Sequence, residues 1–265
     1  MNNDKLKGLL WGSLLGDAYN HNKKNSLYGH QLIWLLDYMN KSKVYDPFIF
    51  GAIWQKKMSS YTGKQDKAST DTLVNLKSGR SFLSAGSSSH DLSIVGRHAP
   101  ILFTLKGMDE MLESVKFHTC LTHMSKEALD ASKYIAEVTL AMIYNLDIES
   151  TLKERAKFYG EMVENEVDKA FTLKDKPIDI ALTILGTHSD IEGALASTIY
   201  LLLNYHNNFE RLLEVNLQAG GNSSARAMVA GMVIGARYGF KAISPEWIEE
   251  IEAYEELNTL INIEA

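Results

Sequence analysis

A pair of glycines opens a helical segment late in the sequence, in the run GGNSSAR at residues 220–226. Gly220 and Gly221 carry no Cβ, so the backbone here can approach a ligand closely. Asn222 and Ser223 follow at the predicted helix start, where free backbone N–H groups favour anions. Arg226 adds the forked donors that suit phosphate. This turn is therefore the first candidate ligand site.

Two aspartates are the candidate catalytic residues. Asp91 lies in a Ser- and Gly-rich loop, where a carboxylate with a pKa near neutrality would activate water as a general base. Asp17 ends the first predicted helix and could orient a ligand or solvent. Each also has a structural interpretation, since Asp91 can be a solvated loop carboxylate and Asp17 can bond the local backbone.

Three more side chains with suitable chemistry lie near these segments. Arg97 can clamp phosphate or pair with a helix end, and His30 can act as a ligand or base or simply pack at a helix start. His188 precedes a predicted helix and could stack on a nucleotide base. Cys120 and His123 are close in sequence, but adjacency does not establish the geometry of a nucleophile pair.

The elements that must position these residues are predicted to be α-helices. Apolar residues recur at helical spacing, and period-2 alternation and Asn-Gly or Asp-Gly turns are scarce. The first helix, predicted over residues 4–19, repeats glycine at Gly8, Gly12 and Gly16, which would let another helix approach closely. Helix starts are predicted at Asp46-Pro47 and at a Ser189 capping box. One all-α domain over residues 1–265 is the simplest organisation.

The amino-acid composition limits the classes of binding partner and the cellular compartment that we expect. The chain has 265 residues, 45% of them hydrophobic, and a net charge of −6. The sequence has no run of Lys and Arg of the kind that predicts nucleic-acid binding. No apolar segment approaches the length of a membrane span. The single cysteine precludes an internal disulfide, and residues 1–7 are polar, so we expect a cytoplasmic protein.

Four segments together resemble the ADP-ribosylglycohydrolase family. They are GSLLGDA at 12–18, GRHAP at 96–100, LTH at 121–123 and GGNSSA at 220–225. Each is weak alone, but they occur in the family's order and span nearly the whole chain. The resemblance implies an all-α fold and a ligand that is an ADP-ribose-like small molecule or an ADP-ribosylated protein.

The resemblance also implies two magnesium ions, held by a T-D-D-T segment and by the aspartates of G-G-D-x-D-T. The run STDT at 69–72 looks like the first segment, but it comes too late in the chain, and the family's Thr-Asp-Asp falls on Leu27, Tyr28 and Gly29. The second pair of aspartates falls on Asn222 and Ser224, and the following Thr on Ala225. Magnesium needs hard oxygen ligands, so we expect no metal cofactor here.

Three functions are compatible with these residues. The first is hydrolysis of an ADP-ribose or related glycosidic conjugate without the dimetal site, with Asp91 or Asp17 as the carboxylate. The second is metal-free binding of ADP-ribose or a nucleotide by a pseudoenzyme. The third is a fold retained for assembly, without a ligand.

Overall fold

The computed structural model describes residues 2–252 and 254–262, and in these ranges the chain is built from α-helices. The helices of the first half are α1 Asn3–Tyr19, α2 Leu27–Ser42, α3 Pro47–Ser60, α4 Lys67–Lys77, α5 Ser93–Gly96, α6 Ala99–Thr104, α7 Met108–Thr122 and α8 Lys126–Ile143. Those of the second half are α9 Ile148–Ala156, α10 Gly160–Thr172, α11 Ile178–Leu185, α12 Ile191–Tyr205, α13 Phe209–Gln218, α14 Ser223–Tyr238, α15 Pro245–Glu249 and α16 Tyr254–Asn262. The predicted all-α fold is confirmed.

Helices α1 and α14 pack backbone against backbone at the centre of the molecule. A Cβ on Gly12 would lie 2.1 Å from the carbonyl oxygen of Gly231, and one on Gly8 would lie 2.3 Å from that of Gly235. The pairing is antiparallel, so the C-terminal end of α1 lies beside the N-terminal end of α14. The small-residue stripe therefore places the loop after α1 next to the Gly-Gly turn.

Helix starts follow the predicted chemistry at α3 and α14. Asp46 accepts hydrogen bonds from the amides of Phe48 and Ile49 at 2.8 and 2.9 Å, with Pro47 in the first turn. Asn222 caps α14 by accepting from the amide of Ala225 at 3.4 Å. These caps can be predicted from sequence because their partners lie within three residues.

The capping box predicted at Ser189 is wrong. Asp190 is the cap residue of α12 and makes no side-chain cap bond, and the first turn is interrupted at Glu192 and Gly193, where Gly193 has φ +86°. The amide of Gly193 donates instead to the carboxylate of Glu166, at 2.6 Å. A residue far along the chain thus satisfies this helix start.

Helix α4 begins at Lys67, with Asp66 as its cap residue. Asp66 accepts a hydrogen bond from the amide of Ser69 at 2.7 Å, so the helix starts at Lys67.

Extended pairing in the described ranges is limited to isolated bridges, between Ser87 and His123 and between Asp91 and Asp190. Over those same ranges, no helix combines the length and the apolar composition that crossing a bilayer requires.

Candidate functional site

A cleft of about 880 Å³ opens where the C-terminal end of α1 meets the N-terminal end of α14. Its walls come from the loops after α1, α3, α11 and α13, together with the first turns of α2 and α14. The lining residues are Asn20, His21, Ser26, Leu27, Tyr28, Tyr61, Lys64, Gln65, Asp66, His188, Ser189, Gly221, Asn222, Ser223 and Ser224. The cleft is the candidate site because the glycine turn and a predicted histidine both lie in its wall.

Tyr28 and Asn222 both lie in the lining of the cleft. Burial raises the pKa of the Tyr28 hydroxyl to about 12, as do the nearby charges of Asp66 and Asp91, against the opposing effects of an Asn222 hydrogen bond and of Arg97. Tyr28 is therefore a neutral phenol at physiological pH. The Asn222 side-chain oxygen caps α14 by accepting from the Ala225 amide.

Ser224 and His21 form a second polar pair in the cleft wall. The Ser224 hydroxyl oxygen lies 2.9 Å from Nε2 of His21. Ser224 is in the first turn of α14, and His21 is in the turn that follows α1. Sequence patterns did not single out His21, because the contact joins residues about 200 positions apart.

Asp17 lies beneath the cleft and is fully buried. Its carboxylate accepts from the amide and the hydroxyl of Ser26 at 2.7 and 2.6 Å, and from the amide of Gly29 at 3.2 Å. Burial raises the pKa of Asp17, while the Ser26 hydrogen bonds and the nearby His21 oppose that change. A Cβ on Gly29 would lie 2.4 Å from the carboxylate. The structure thus assigns Asp17 to holding the start of α2, as in its structural interpretation.

Asp91 does not have the near-neutral pKa expected of a general base. Its carboxylate accepts from the Ser89 hydroxyl at 2.7 Å and the Ser93 amide at 3.0 Å, and lies 3.1 Å from Nε2 of His123. Burial acts to raise its pKa, but His123 and the two serine donors outweigh burial and hold it well below the ordinary value. Asp91 is outside the cleft lining, and its oxygens are already engaged, so the catalytic expectation is corrected.

Arg226 braces the glycine turn and does not face a ligand. Its guanidinium donates to the Thr187 and Gly220 carbonyl oxygens at 2.9 and 2.6 Å, and its Nε donates to the Asn216 side chain at 2.9 Å. The Thr187 oxygen also accepts from the Asn222 amide at 2.9 Å. Because its donors are engaged and the side chain is fully buried, the expected phosphate contact is replaced by a structural one.

The same loop shows why glycine occupies position 221. Gly221 has φ +66°, and a Cβ there would lie 1.8 Å from the Thr187 carbonyl oxygen. Gly220 has φ +70° and is outside the cleft lining. Its amide donates to the Leu217 carbonyl at 3.0 Å, and its own carbonyl accepts from Arg226. The predicted close approach therefore involves the protein's own backbone as well as the cleft.

Arg97 is buried behind Tyr28 and does not line the cleft. Its Nε donates to the Ser93 carbonyl at 3.1 Å, and its Nη1 donates to the side chain of Gln31. Its Nη2 has no hydrogen-bond partner within the described residues. The guanidinium thus contributes positive charge beneath the cleft, without the predicted direct access to a ligand.

The two predicted histidines differ in position. His30 lies outside the lining, with its ring centroid 5.6 Å from that of Tyr61 and 6.4 Å from that of Trp34, and burial lowers its pKa. This arrangement matches its packing interpretation. His188 lines the cleft, and its Nδ1 lies 3.9 Å from the Asp190 carboxylate.

The run STDT at 69–72 lies away from the cleft. Asp71 pairs with Lys67 and accepts from the Ser87 hydroxyl at 2.7 Å, and it lines a separate hollow of about 540 Å³. The Thr70 hydroxyl donates to the Asp66 carbonyl at 2.9 Å. Across the described ranges, no group of three or more His, Cys, Asp or Glu side chains is arranged to hold a metal ion.

Cys120 and His123 do not form a nucleophile pair. Both nitrogens of His123 are engaged, Nδ1 with the Thr122 hydroxyl at 2.9 Å and Nε2 with Asp91. Burial raises the pKa of the Cys120 thiol, which disfavours the reactive thiolate.

Comparisons with known proteins agree with this architecture. A family model described as ADP-ribosylglycohydrolase matches residues 28–264. A solved structure titled "ADP-ribosylglycohydrolase-related protein complex" superposes with a TM-score of 0.81 at 18% identity, over 98% of this chain and 96% of that chain. ADP-ribosylhydrolase ARH3 of Gallus gallus is 31% identical over 58 residues, which are 22% of this chain and only 16% of that relative's length.

Proposed function

The chain belongs to the ADP-ribosylglycohydrolase family, and from that premise we propose that its cleft binds the ADP-ribose part of a ligand without a magnesium pair. The observation that carries this proposal is that Tyr28 and Asn222 both line the cleft. Both residues stand where the family resemblance places metal-binding aspartates.

The side chains at these positions do not fit two magnesium ions. Magnesium is bound through carboxylates and water in octahedral geometry, and each bound dication needs negative charge to offset its desolvation. Tyr28 is neutral, Gly29 has no side chain, and Asn222 and Ser224 offer neutral oxygens. Asp66, which does line the cleft, accepts from the Ser69 amide and hydroxyl at 2.7 and 3.1 Å. The proposed binding mode therefore uses no metal ion.

The groups that remain suit an adenosine diphosphate moiety. Tyr28 and Tyr61 offer aromatic faces, and Lys64 supplies an exposed cation at the cleft rim. Ser223 begins α14, where backbone N–H groups favour phosphate. Arg226 holds the turn before this helix in place, so little ordering would accompany binding.

Calorimetric titration of the protein with ADP-ribose, in EDTA and in magnesium, tests this proposal. We expect the same affinity in both buffers. Lys64→Ala should weaken binding roughly 5- to 10-fold, or about 1–1.4 kcal/mol, because the phosphate loses its attraction to one positive charge at the cleft rim. Lys57→Ala, an exposed lysine of α3 outside the cleft lining, is the matched control and should bind like the original protein. Binding that requires magnesium would refute the metal-free mode.

Turnover is a second candidate function, favoured by the Ser224–His21 contact. The two aspartates expected to catalyse glycosidic cleavage are both occupied by protein donors. Hydrolysis in this cleft must therefore use other groups, and an incubation with ADP-ribosylated protein in EDTA would reveal release of ADP-ribose.

A further inference from the structure

The Ser224–His21 pair has the geometry of a nucleophile and its base. The distance of 2.9 Å lies within the range over which a serine hydroxyl donates to an imidazole nitrogen, and both residues line the cleft. In the tautomer of His21 that carries its ring proton on Nδ1, Nε2 accepts from the Ser224 hydroxyl, as a base must.

The surrounding structure fixes the helix turn that carries Ser224 and the backbone of the turn that carries His21. Ser224 lies on α14, whose backbone is locked against α1, and only 6% of the residue is exposed. The His21 amide donates to the Ala18 carbonyl at 3.0 Å. Lys23, two residues on, lies 4.9 Å above the ring of Trp247 and pairs with Glu250 at 3.0 Å. The turn carrying His21 is thus anchored at both ends.

Asp17 and the first turn of α14 both lie close to the pair. Asp17, beneath the pair, is close enough that His21 acts to lower the pKa of its carboxyl, against the larger effect of burial. In the first turn of α14 the Ala225 amide donates to Asn222, and the amides of Ser223 and Ser224 precede the first residue that can bond within the helix, so they could face a developing oxyanion.

We propose that Ser224 and His21 form a catalytic pair that hydrolyses acyl esters bound in the cleft. An acyl centre suits this pair better than a glycosidic carbon, because oxocarbenium-like cleavage relies on a free carboxylate and those of Asp17 and Asp91 are engaged. This activity goes beyond the binding proposed above and does not depend on the ligand being ADP-ribose.

The reaction follows in two balanced steps. The Ser224 oxygen attacks the ester carbonyl carbon while His21 takes the hydroxyl proton, and collapse of the tetrahedral intermediate breaks the bond to the alcohol oxygen, which receives that proton from His21. Water then attacks the acyl-serine, His21 accepts its proton, and the carboxylic acid leaves as the proton returns to the Ser224 oxygen. The net change is ester plus water to acid plus alcohol.

A fluorophosphonate probe tests the nucleophile by intact-protein mass spectrometry on the full chain. We expect one adduct, located at Ser224 by peptide mapping and absent from Ser224→Ala. Ser150→Ala is the matched control, since Ser150 also lies in the first turn of a helix but bonds only to Asp147. Equal labelling of Ser224→Ala, or no labelling of the folded original protein, would overturn the proposal.

Hydrolysis of p-nitrophenyl acetate tests the base. His21→Gln should slow the reaction about 100-fold or more, the usual contribution of a positioned base, with the thermal midpoint recorded to show that the variant is folded. A folded His21→Gln variant with unchanged hydrolysis would rule out the pair. Because neither probe contains ADP-ribose, failure here and failure of the ADP-ribose titration are distinguishable.

Discussion

His98 and His118 form a buried pair whose titration should dominate the acid sensitivity of the fold. Their Nδ1 atoms lie 3.0 Å apart, and the Thr119 hydroxyl lies 3.3 Å from Nε2 of His98. The ring of His118 also packs against Tyr45 and Phe50, with centroid distances of 5.8 and 5.6 Å. A hydrogen bond between two Nδ1 atoms needs one donor and one acceptor, so the contact is lost when both rings are charged.

The direction of the effect follows from the two pKa values. Burial lowers the pKa of His98 to about 3, helped by the charges of Arg97 and His123, and burial likewise lowers the pKa of His118 well below its ordinary value. The unfolded chain titrates near the ordinary value of about 6.5, so below that pH it binds more protons than the folded protein does. Stability is therefore complete above about pH 7 and falls as the pH drops through 6.5 toward 3.

The magnitude can be worked from this proton difference. One histidine that stays neutral in the folded protein lowers the free energy of unfolding, relative to pH 8, by about 1.4 kcal/mol at pH 5.5 and about 2.7 kcal/mol at pH 4.5. The pair together should then cost roughly 2.8 and 5.4 kcal/mol. The larger figure is comparable with the whole stability of a typical domain, about 5–15 kcal/mol.

Urea unfolding at pH 7.5, 6.5 and 5.5 measures this loss. Between pH 7.5 and 5.5 the free energy of unfolding should fall in both proteins. The fall should be about 2–3 kcal/mol smaller in the double variant His98→Gln/His118→Gln than in the original protein. His206→Gln is the control, since this half-buried histidine bonds a helix carbonyl outside the pair. Identical losses in the double variant and the original protein would refute the assignment of acid sensitivity to this pair.

Two other variants test the contacts that build the site. Gly12→Ala should destabilise the protein by about 3 kcal/mol or more in urea unfolding, since its Cβ would lie 2.1 Å from the Gly231 oxygen; a loss under 1 kcal/mol would contradict the close packing of α1 on α14. Arg226→Met should cost roughly 3–5 kcal/mol, because the Thr187 and Gly220 oxygens lose a buried charged donor. An Arg226→Met protein of unchanged stability with weakened ADP-ribose binding would instead restore the phosphate role.

Local patterns predicted the parts of the site that depend on backbone conformation. The glycine stripe of α1, the Asp46 cap and the Gly221-Asn222 turn all function through contacts that glycine or a short polar side chain makes possible. Of the predicted site residues, Gly221, Asn222, Ser223 and His188 line the cleft. These residues belong to loops and helix starts, which glycines and short polar residues in the sequence predict.

The roles of charged residues were harder to predict. Asp91 and Arg226 carry the chemistry of a base and a phosphate clamp, yet protein atoms engage their hydrogen-bonding groups. The serine donors of Asp91 lie two residues away, but its contact with His123 and the contact of Arg226 with Thr187 join residues 32 and 39 positions apart, and these distant partners are not evident from the sequence. For the same reason, the pairing of Ser224 with His21 was missed.

By itself, the sequence determined the helical fold class, the family and the glycines that allow close approach, because periodicity and local motifs encode all three. Only the tertiary structure decided which polar side chains face the cleft and which hold the fold together. The physical reason is that a buried polar group must find a partner, and the partner's position depends on how distant helices pack.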